Sequence, residues 1–327
     1  MKRCAYFLAL ISLCLAMLLL PSCGVSARKQ TYYAMGTYCT VSVYGEIPKD
    51  LAQLLVQTEG EISHRLSDSL IARANGGETV RLPEDLESAI SLCKGIYEAT
   101  EGRFDISVLS LTALWNFDTA PSMPPDAGEI ATALTQVGFD RIVFLERSLL
   151  SVTGGAIDLG AIGKGLACDR LVAHLDDARI QGLVSVGGSL GIAGEGRRYS
   201  IGIRNPFSER SADLIGTLQM TDRFVSTSGT YEKNFEANGR IYHHLLNATT
   251  GYPEDNGLIS VTVVADSGVL SDALSTAAYL VGEEQAISLC REYGASVIAV
   301  KVDGTVLVSK ELEGSFFHLG RGEVIYQ

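Results

Sequence analysis

The chain has 327 residues, 46% of them hydrophobic, and a formal net charge of −12 at pH 7. That length can bury a large core, and an acidic balance with no basic patch argues against nucleic-acid binding. No internal repeat or low-complexity linker divides it.

Lys2 and Arg3 precede an apolar run from Ala5 to Leu20, which ends in Pro21-Ser22-Cys23-Gly24. This layout resembles a bacterial lipoprotein signal, with Cys23 as the lipidated first residue of the mature protein; a plain N-terminal membrane anchor is the alternative. The expectation is a signal peptide over 1–22, a tether over 23–30 and one domain over 31–327, exported and held at the periplasmic or cell-surface side of a membrane. Loss of Lys2 and Arg3 with the leader takes the charge to −14. No later run approaches the about 20 apolar residues of a second span. Of seven cysteines, Cys39, Cys93, Cys168 and Cys290 remain after Cys4, Cys14 and lipidated Cys23 are set aside. They are far apart without a CxxC pair, so they read as buried thiols rather than a zinc site.

The spacing of apolar residues predicts a strand over 38–44 and helices over 51–66, 83–100 and 127–136. Pro83 opens the second helix, with Glu84 and Asp85 in its first turn. Residues 141–145 and 149–153 form a hairpin pattern, and 166–175 is helical. Strands follow at 183–186, 199–204, 215–220, 223–227 and 258–265. Two helices over 267–281 and 283–293 and a last hairpin over 296–302 and 305–309 complete the pattern. Hairpin signals outnumber βαβ signals, so the fold class expected is α+β, with mixed or antiparallel sheets and flanking helices.

The stretch Gly155-Ala-Ile-Asp-Leu-Gly-Ala-Ile-Gly-Lys-Gly165 is a glycine turn feeding a helix. It is not a P-loop: Gly163-Lys164 fits the centre of that motif, but Asp158 stands where its first glycine belongs and Gly165 where its metal-holding hydroxyl belongs. The dinucleotide fingerprint fails as well. Backbone N–H groups and the helix dipole still favour an anion there. Lys164 opposes that dipole and so calls for an anion nearby, unless it is only a solvated lysine.

Polar residues stand in odd places in further segments: Met35-Gly36-Thr37, Gly102-Arg103-Phe104-Asp105, Val186-Gly187-Gly188-Ser189, Ser226-Thr227-Ser228-Gly229-Thr230-Tyr231-Glu232, His243-His244-Leu245-Leu246-Asn247, and Ser271-Asp272-Ala273-Leu274-Ser275-Thr276. In this order, from Met35 to about Val302, they resemble the ApbE family, the FAD:protein FMN transferases. The resemblance implies one catalytic domain related to the T-fold, with a deep cleft for FAD as substrate and Mg²⁺ as cofactor. FMN would be joined through its phosphate to a Thr or Ser hydroxyl of an acceptor, and AMP would leave. It also implies the acceptor: a subunit of a membrane electron-transfer or ion-pumping complex, with a segment such as Asp-x-x-(Ser or Thr)-(Gly or Ala)-Ala-Thr. FAD hydrolysis at the same site and non-enzymatic flavin storage are the rival functions.

Asp272 and Thr276 are four apart, so on a helix they share a face, a spacing that suits a carboxylate and a hydroxyl on one hard cation. Asp272 could equally cap its helix. The resemblance adds the Ala161 carbonyl as a third metal ligand. It assigns Met35, Gly36 and Thr37 to the adenosine side, Gly187 and Gly188 to close backbone approach, and Ser228 and Gly229 to the flavin side, with Phe104, Asp105 and Lys164 as further contacts; a core role for Met35 is the alternative. Asp158 could touch the nucleotide or cap the loop. The chain departs from the family pattern at Ile106, Ser185, Asn247 and Ala248. Neighbours on an extended segment point to opposite sides, so only one of His243 and His244 can face the cleft. The motif selects His244 as the base, with catalysis also resting on Asp272; a core histidine is the alternative.

Overall fold

The strand Leu258–Ala265 (β13) is buried along nearly its whole length, so it must be covered on both faces, and the rest of the architecture follows from that. A computed structural model describes residues 26–146, 148–210 and 212–327. Cys23 and the whole leader lie outside them. β13 pairs antiparallel with Phe224–Gly229 (β10) on one side and Ser296–Lys301 (β14) on the other. The sheet runs β1-β2-β6-β7-β10-β13-β14-β15-β17, antiparallel except for β15 with β17. Its remaining strands are Arg28–Ala34 (β1), Thr37–Val43 (β2), Gly182–Val186 (β6), Ser189–Ala193 (β7), Val306–Val308 (β15) and Val324–Tyr326 (β17).

Side chains alternate across it as the two-residue period requires. Val261, Val263, Ala265, Val297 and Ala299 face the helices. Val225, Val264, Ile298 and Val300 face a three-stranded sheet of Tyr199–Arg204 (β8), Leu214–Met220 (β9) and Phe316–His318 (β16). The helical layer is built on Gly163–Asp177 (α6) and Gly268–Val281 (α7), flanked by Leu51–Ile62 (α1), Leu70–Asn75 (α2), Glu84–Ala99 (α3) and Glu283–Glu292 (α8). A small lobe of Leu109–Trp115 (α4), Ala127–Leu134 (α5) and the hairpin Asn234–Ala237 (β11) with Arg240–His243 (β12) closes over the aromatic cluster of Trp115, Phe235 and Tyr242. Val80–Arg81 (β3), Ile142–Glu146 (β4) and Leu149–Val152 (β5) form the last sheet. The α+β class stands.

Where boundaries differ from the sequence pattern, local chemistry explains it. α1 stops at Ile62 rather than 66 because Ser63 Oγ accepts the N–H groups of Arg65 (3.2 Å) and Leu66 (3.3 Å), turning the chain out of the helix. β1 takes in Arg28 to Gln30, placed above in the tether, because they pair with Val43 to Val41. α6 starts three residues early, since both glycines flanking Lys164 are helical. Cys39, Cys93, Cys168 and Cys290 are free and buried, as their apolar settings suggest. No helix among the described residues is long and apolar enough to cross a membrane.

Candidate active site

The site forms where α6 and α7 begin. Both helices carry a glycine in the first turn, and these glycines touch: a Cβ on Gly165 would lie 2.1 Å from the Gly268 carbonyl oxygen. Ser267 caps α7 by accepting the Leu270 N–H, so Asp272, in the second turn, is not a cap of its own helix. Its Oδ2 accepts the Gly165 N–H at 2.8 Å; Ser189 Oγ donates to Oδ1 at 3.2 Å, and Lys164 Nζ stands 3.8 Å from Oδ1. Burial pushes the Asp272 carboxyl above its ordinary range, against the pull of Lys164 and these donors, while Asp272 raises Lys164. One ammonium at that distance leaves the buried negative charge incompletely matched.

Gly165 is the third residue of α6, so its N–H has no carbonyl partner inside the helix and bonds Asp272. Ala161 lies just before the helix, whose first accepting carbonyl is that of Ile162, taken by the Leu166 N–H at 2.9 Å; among the described residues nothing bonds the Ala161 carbonyl. One turn past Asp272, the Thr276 hydroxyl lies 3.1 Å from Ser228 Oγ, which is also 2.8 Å from Ser275 Oγ. A free backbone carbonyl, an undercompensated carboxylate and a hydroxyl are hard oxygen donors, a set that fits Mg²⁺. Among the described residues no group of three His, Cys, Asp or Glu is placed to hold a metal ion, so side-chain acids and imidazoles alone do not make a site.

Two tight turns wall the Lys164 side. Met35 (φ 55°) and Gly36 (φ 69°) form the two-residue connection of β1 to β2, in which both residues require positive φ. Met35 packs between two core clusters while holding a conformation unfavourable for a side-chain-bearing residue. Gly187-Gly188 connects β6 to β7; a Cβ on Gly187 (φ 57°) would meet Thr37 Oγ1 at 2.8 Å and Lys164 Cδ at 3.1 Å. Thr37, Gly187 and Lys164 are thus in one place. Glu232 reaches the same wall, 3.5 Å from where a Gly188 Cβ would be. Desolvation between the cleft walls raises its carboxyl, Lys164 opposing and Asp272 adding to the rise. Gly229 lies under the Tyr231 ring, over which the Arg204 guanidinium stacks at 4.6 Å.

The two histidines part company at the end of β12. His243 is buried, edge-on to the Tyr279 ring, with Nε2 3.4 Å from its hydroxyl, and burial lowers it to about 4. His244 is half-buried on the other side. Its Nδ1 lies 3.3 Å from the Lys233 carbonyl oxygen, which can only accept, so the proton sits on Nδ1 and Nε2 keeps its lone pair free. Burial, then Lys164 and Lys233, push His244 down to about 3, so it is neutral at physiological pH. The Lys233 ammonium is held by Asp118 at 2.7 Å, and Asp118 also binds Arg65.

Three of the residues singled out are engaged by groups of the protein itself. Phe104 is in the core, and the buried Asp105 carboxylate accepts the Ser107 N–H at 2.7 Å, an intrasegment turn bond. Asp158 caps the glycine loop: it accepts from Gly160 N (2.9 Å) and Thr112 Oγ1 (2.8 Å) and faces His64 Nδ1 at 3.5 Å. Burial acts to raise its carboxyl, but His64 and these donors outweigh it and hold it low. Sequence reasoning passed over Asp118, Asp169 and Lys233, and quoted Ser189 and Glu232 without giving them a role. No spacing rule points to Asp118, which lies more than a hundred residues from Lys233.

The ApbE family model matches residues 35–300. An FAD:protein FMN transferase of Klebsiella pneumoniae (strain 342) is 30% identical over 291 residues, 83% of each chain. One of Treponema pallidum (strain Nichols) is 30% identical over 311 residues, 83% of this chain and 84% of the other. The crystal structure of the ApbE protein of Thermotoga maritima matches with a TM-score of 0.80 at 28% identity, over 89% of this chain and 99% of that one. The helix crossing, the glycine turns and the histidine segment all lie within the matched span, and this chain belongs to the ApbE family.

Proposed function

We propose that the protein transfers FMN from FAD to a serine or threonine hydroxyl of an acceptor protein and releases AMP. The observation that carries this reading is the arrangement at the helix crossing: the Gly165 N–H binds the buried Asp272 carboxylate, and the Ala161 carbonyl and the Thr276 hydroxyl supply two further hard oxygens from the same two segments. These three residues would hold Mg²⁺, which when bound neutralises and polarises the pyrophosphate oxygens. Lys164 adds a second positive charge, and Gly187 and Gly188 let backbone approach the nucleotide.

The acceptor hydroxyl oxygen forms a bond to the FMN phosphorus as the bond from that phosphorus to the AMP phosphate oxygen breaks. His244 Nε2 takes the hydroxyl proton. An imidazole at about 3 is a weak base, but the depression comes from burial and two lysines, and a bound pyrophosphate beside Lys164 offsets that positive field. We place the protein outside the cytoplasm, tethered through lipidated Cys23, facing a flavin-accepting subunit of a membrane electron-transfer or ion-pumping complex.

The test is AMP release from FAD by detergent-solubilised full-length protein, with Mg²⁺ or with chelator. Mg²⁺-dependent release supports the reading. Release that ignores chelator, or none with an acceptor peptide present, contradicts it.

A further inference from the structure

The crossing of α6 and α7 has a two-way symmetry. Each helix has its contact glycine in the first turn and an acid four residues on: Gly165 and Asp169 in α6, Gly268 and Asp272 in α7. A four-residue step keeps both on one face. Each acid serves the other helix. Asp272 accepts the Gly165 N–H at 2.8 Å, while Asp169 Oδ1 accepts the Gly268 N–H at 2.6 Å and Oδ2 the Val269 N–H at 2.9 Å. Among the described residues no cation forms an ion pair with Asp169, so backbone N–H groups and the positive end of α7 are what hold its charge.

We propose that Asp169 is a positioning residue for the cation site, fixing α7 against the glycine loop so that Asp272 and Thr276 meet the Ala161 carbonyl. The inference rests on the metal reading given above. Two oxygens on two successive N–H groups restrain both the rotation of α7 about its axis and its slide along α6. Such a contact sets how well three ligands from two segments converge. It touches neither the substrate nor the proton that moves. Its loss should therefore weaken cation binding more than it slows the reaction once the cation is bound.

The experiment uses the full chain in detergent, well below its melting temperature, with Asp169→Asn as the isosteric variant that keeps one acceptor oxygen. Mn²⁺, a hard octahedral substitute for Mg²⁺, is titrated in the presence of FAD and followed by its electron paramagnetic resonance signal. The Mg²⁺ dependence of AMP release is measured in parallel. Outer partners of metal ligands typically contribute 10–100-fold in affinity, so Asp169→Asn should raise both half-saturation concentrations about tenfold and leave release at saturating Mg²⁺ within about twofold of wild type. Unchanged half-saturation with a lowered melting temperature would make Asp169 purely structural and overturn the proposal, as would lost turnover with unchanged cation affinity. Should Asp169→Asn not fold, Asp169→Glu, which shifts the carboxylate by one methylene, carries the same expectation and the same refutation. Wild-type protein that binds no Mn²⁺ would overturn the metal reading and this inference together. Binding that is equal in wild type and variant overturns this inference alone.

Discussion

Replacing Gly165 with alanine tests the helix crossing at its tightest point. Alanine normally gains about 1 kcal/mol over glycine inside a helix. Here the new methyl would stand 2.1 Å from the Gly268 oxygen, 2.5 Å from its carbonyl carbon and 2.8 Å from Asp272 Cβ. Two of these are backbone atoms of a buried helix, which cannot swing aside as a flexible side chain would. Overpacking of this kind costs about 1–3 kcal/mol, and parting the helices also strains the hydrogen bond from Gly165 to a charged acceptor, worth about 1.5–3 kcal/mol. The net expectation is a loss of about 1.5–5 kcal/mol after the propensity gain. Urea denaturation followed by far-ultraviolet circular dichroism measures it, with Gly60→Ala as control. Gly60 lies in α1 with nothing within 4 Å of a new Cβ, so that change should be neutral or stabilise by up to about 1 kcal/mol. Gly165→Ala should also weaken Mg²⁺ activation, because Asp272 moves with α7. If Gly165→Ala were as stable as wild type and equally responsive to Mg²⁺, the account of the crossing would fail.

Asp272→Ala should abolish Mg²⁺-dependent AMP release while FAD, whose contacts are proposed to lie mostly elsewhere, should still bind by flavin fluorescence; near-normal release at moderate Mg²⁺ would remove Asp272 from the site. His244→Ala should slow transfer to an acceptor peptide by about 10²–10⁴-fold, the usual worth of a positioned base, and His243→Ala far less; the reverse ranking would move the base to His243. His243 stays neutral in the fold at pH values where the unfolded chain binds a proton, so its contribution is fully present above about 6.5 and lost as pH falls toward about 4. His243→Gln should accordingly flatten the stability–pH slope in that window relative to wild type, and identical slopes would refute the burial argument. Mature protein from a native host should begin at Cys23 and carry lipid by mass spectrometry; any other N-terminus, or no lipid, would refute the anchor.

Much of the framework was legible because local chemistry and packing agree. Pro83 with the acids behind it opens α3, and the apolar run of β13 marks a strand covered on both faces. The spacing of Asp272 and Thr276 places them on one face of α7, and the alternation rule separates the two histidines. What stayed hidden depends on contacts far apart in sequence. The role of Gly165 is visible only when Gly268 is laid against it, and that of Asp169 only when α7 is in place. Met35 as a positive-φ turn residue breaks the usual preference for glycine or asparagine, so no turn signal marks the β1–β2 hairpin. Phe104 and Asp105 show what a short motif leaves open: a polar residue after a glycine turn can bind a ligand or bond its own backbone, and the Asp105 carboxylate accepts the Ser107 N–H.

The most direct test of the central claim is the mass of an acceptor peptide after incubation with the full-length protein, FAD and Mg²⁺. The peptide should carry the Asp-x-x-Thr-Gly-Ala-Thr pattern, with a companion in which both threonines are alanine. FMN transfer predicts a phosphodiester-linked FMN on a threonine of the first peptide only, formed one-for-one with AMP and suppressed by chelator. AMP and free FMN appearing together, with both peptides unmodified, would make the protein an FAD pyrophosphatase and contradict the claim.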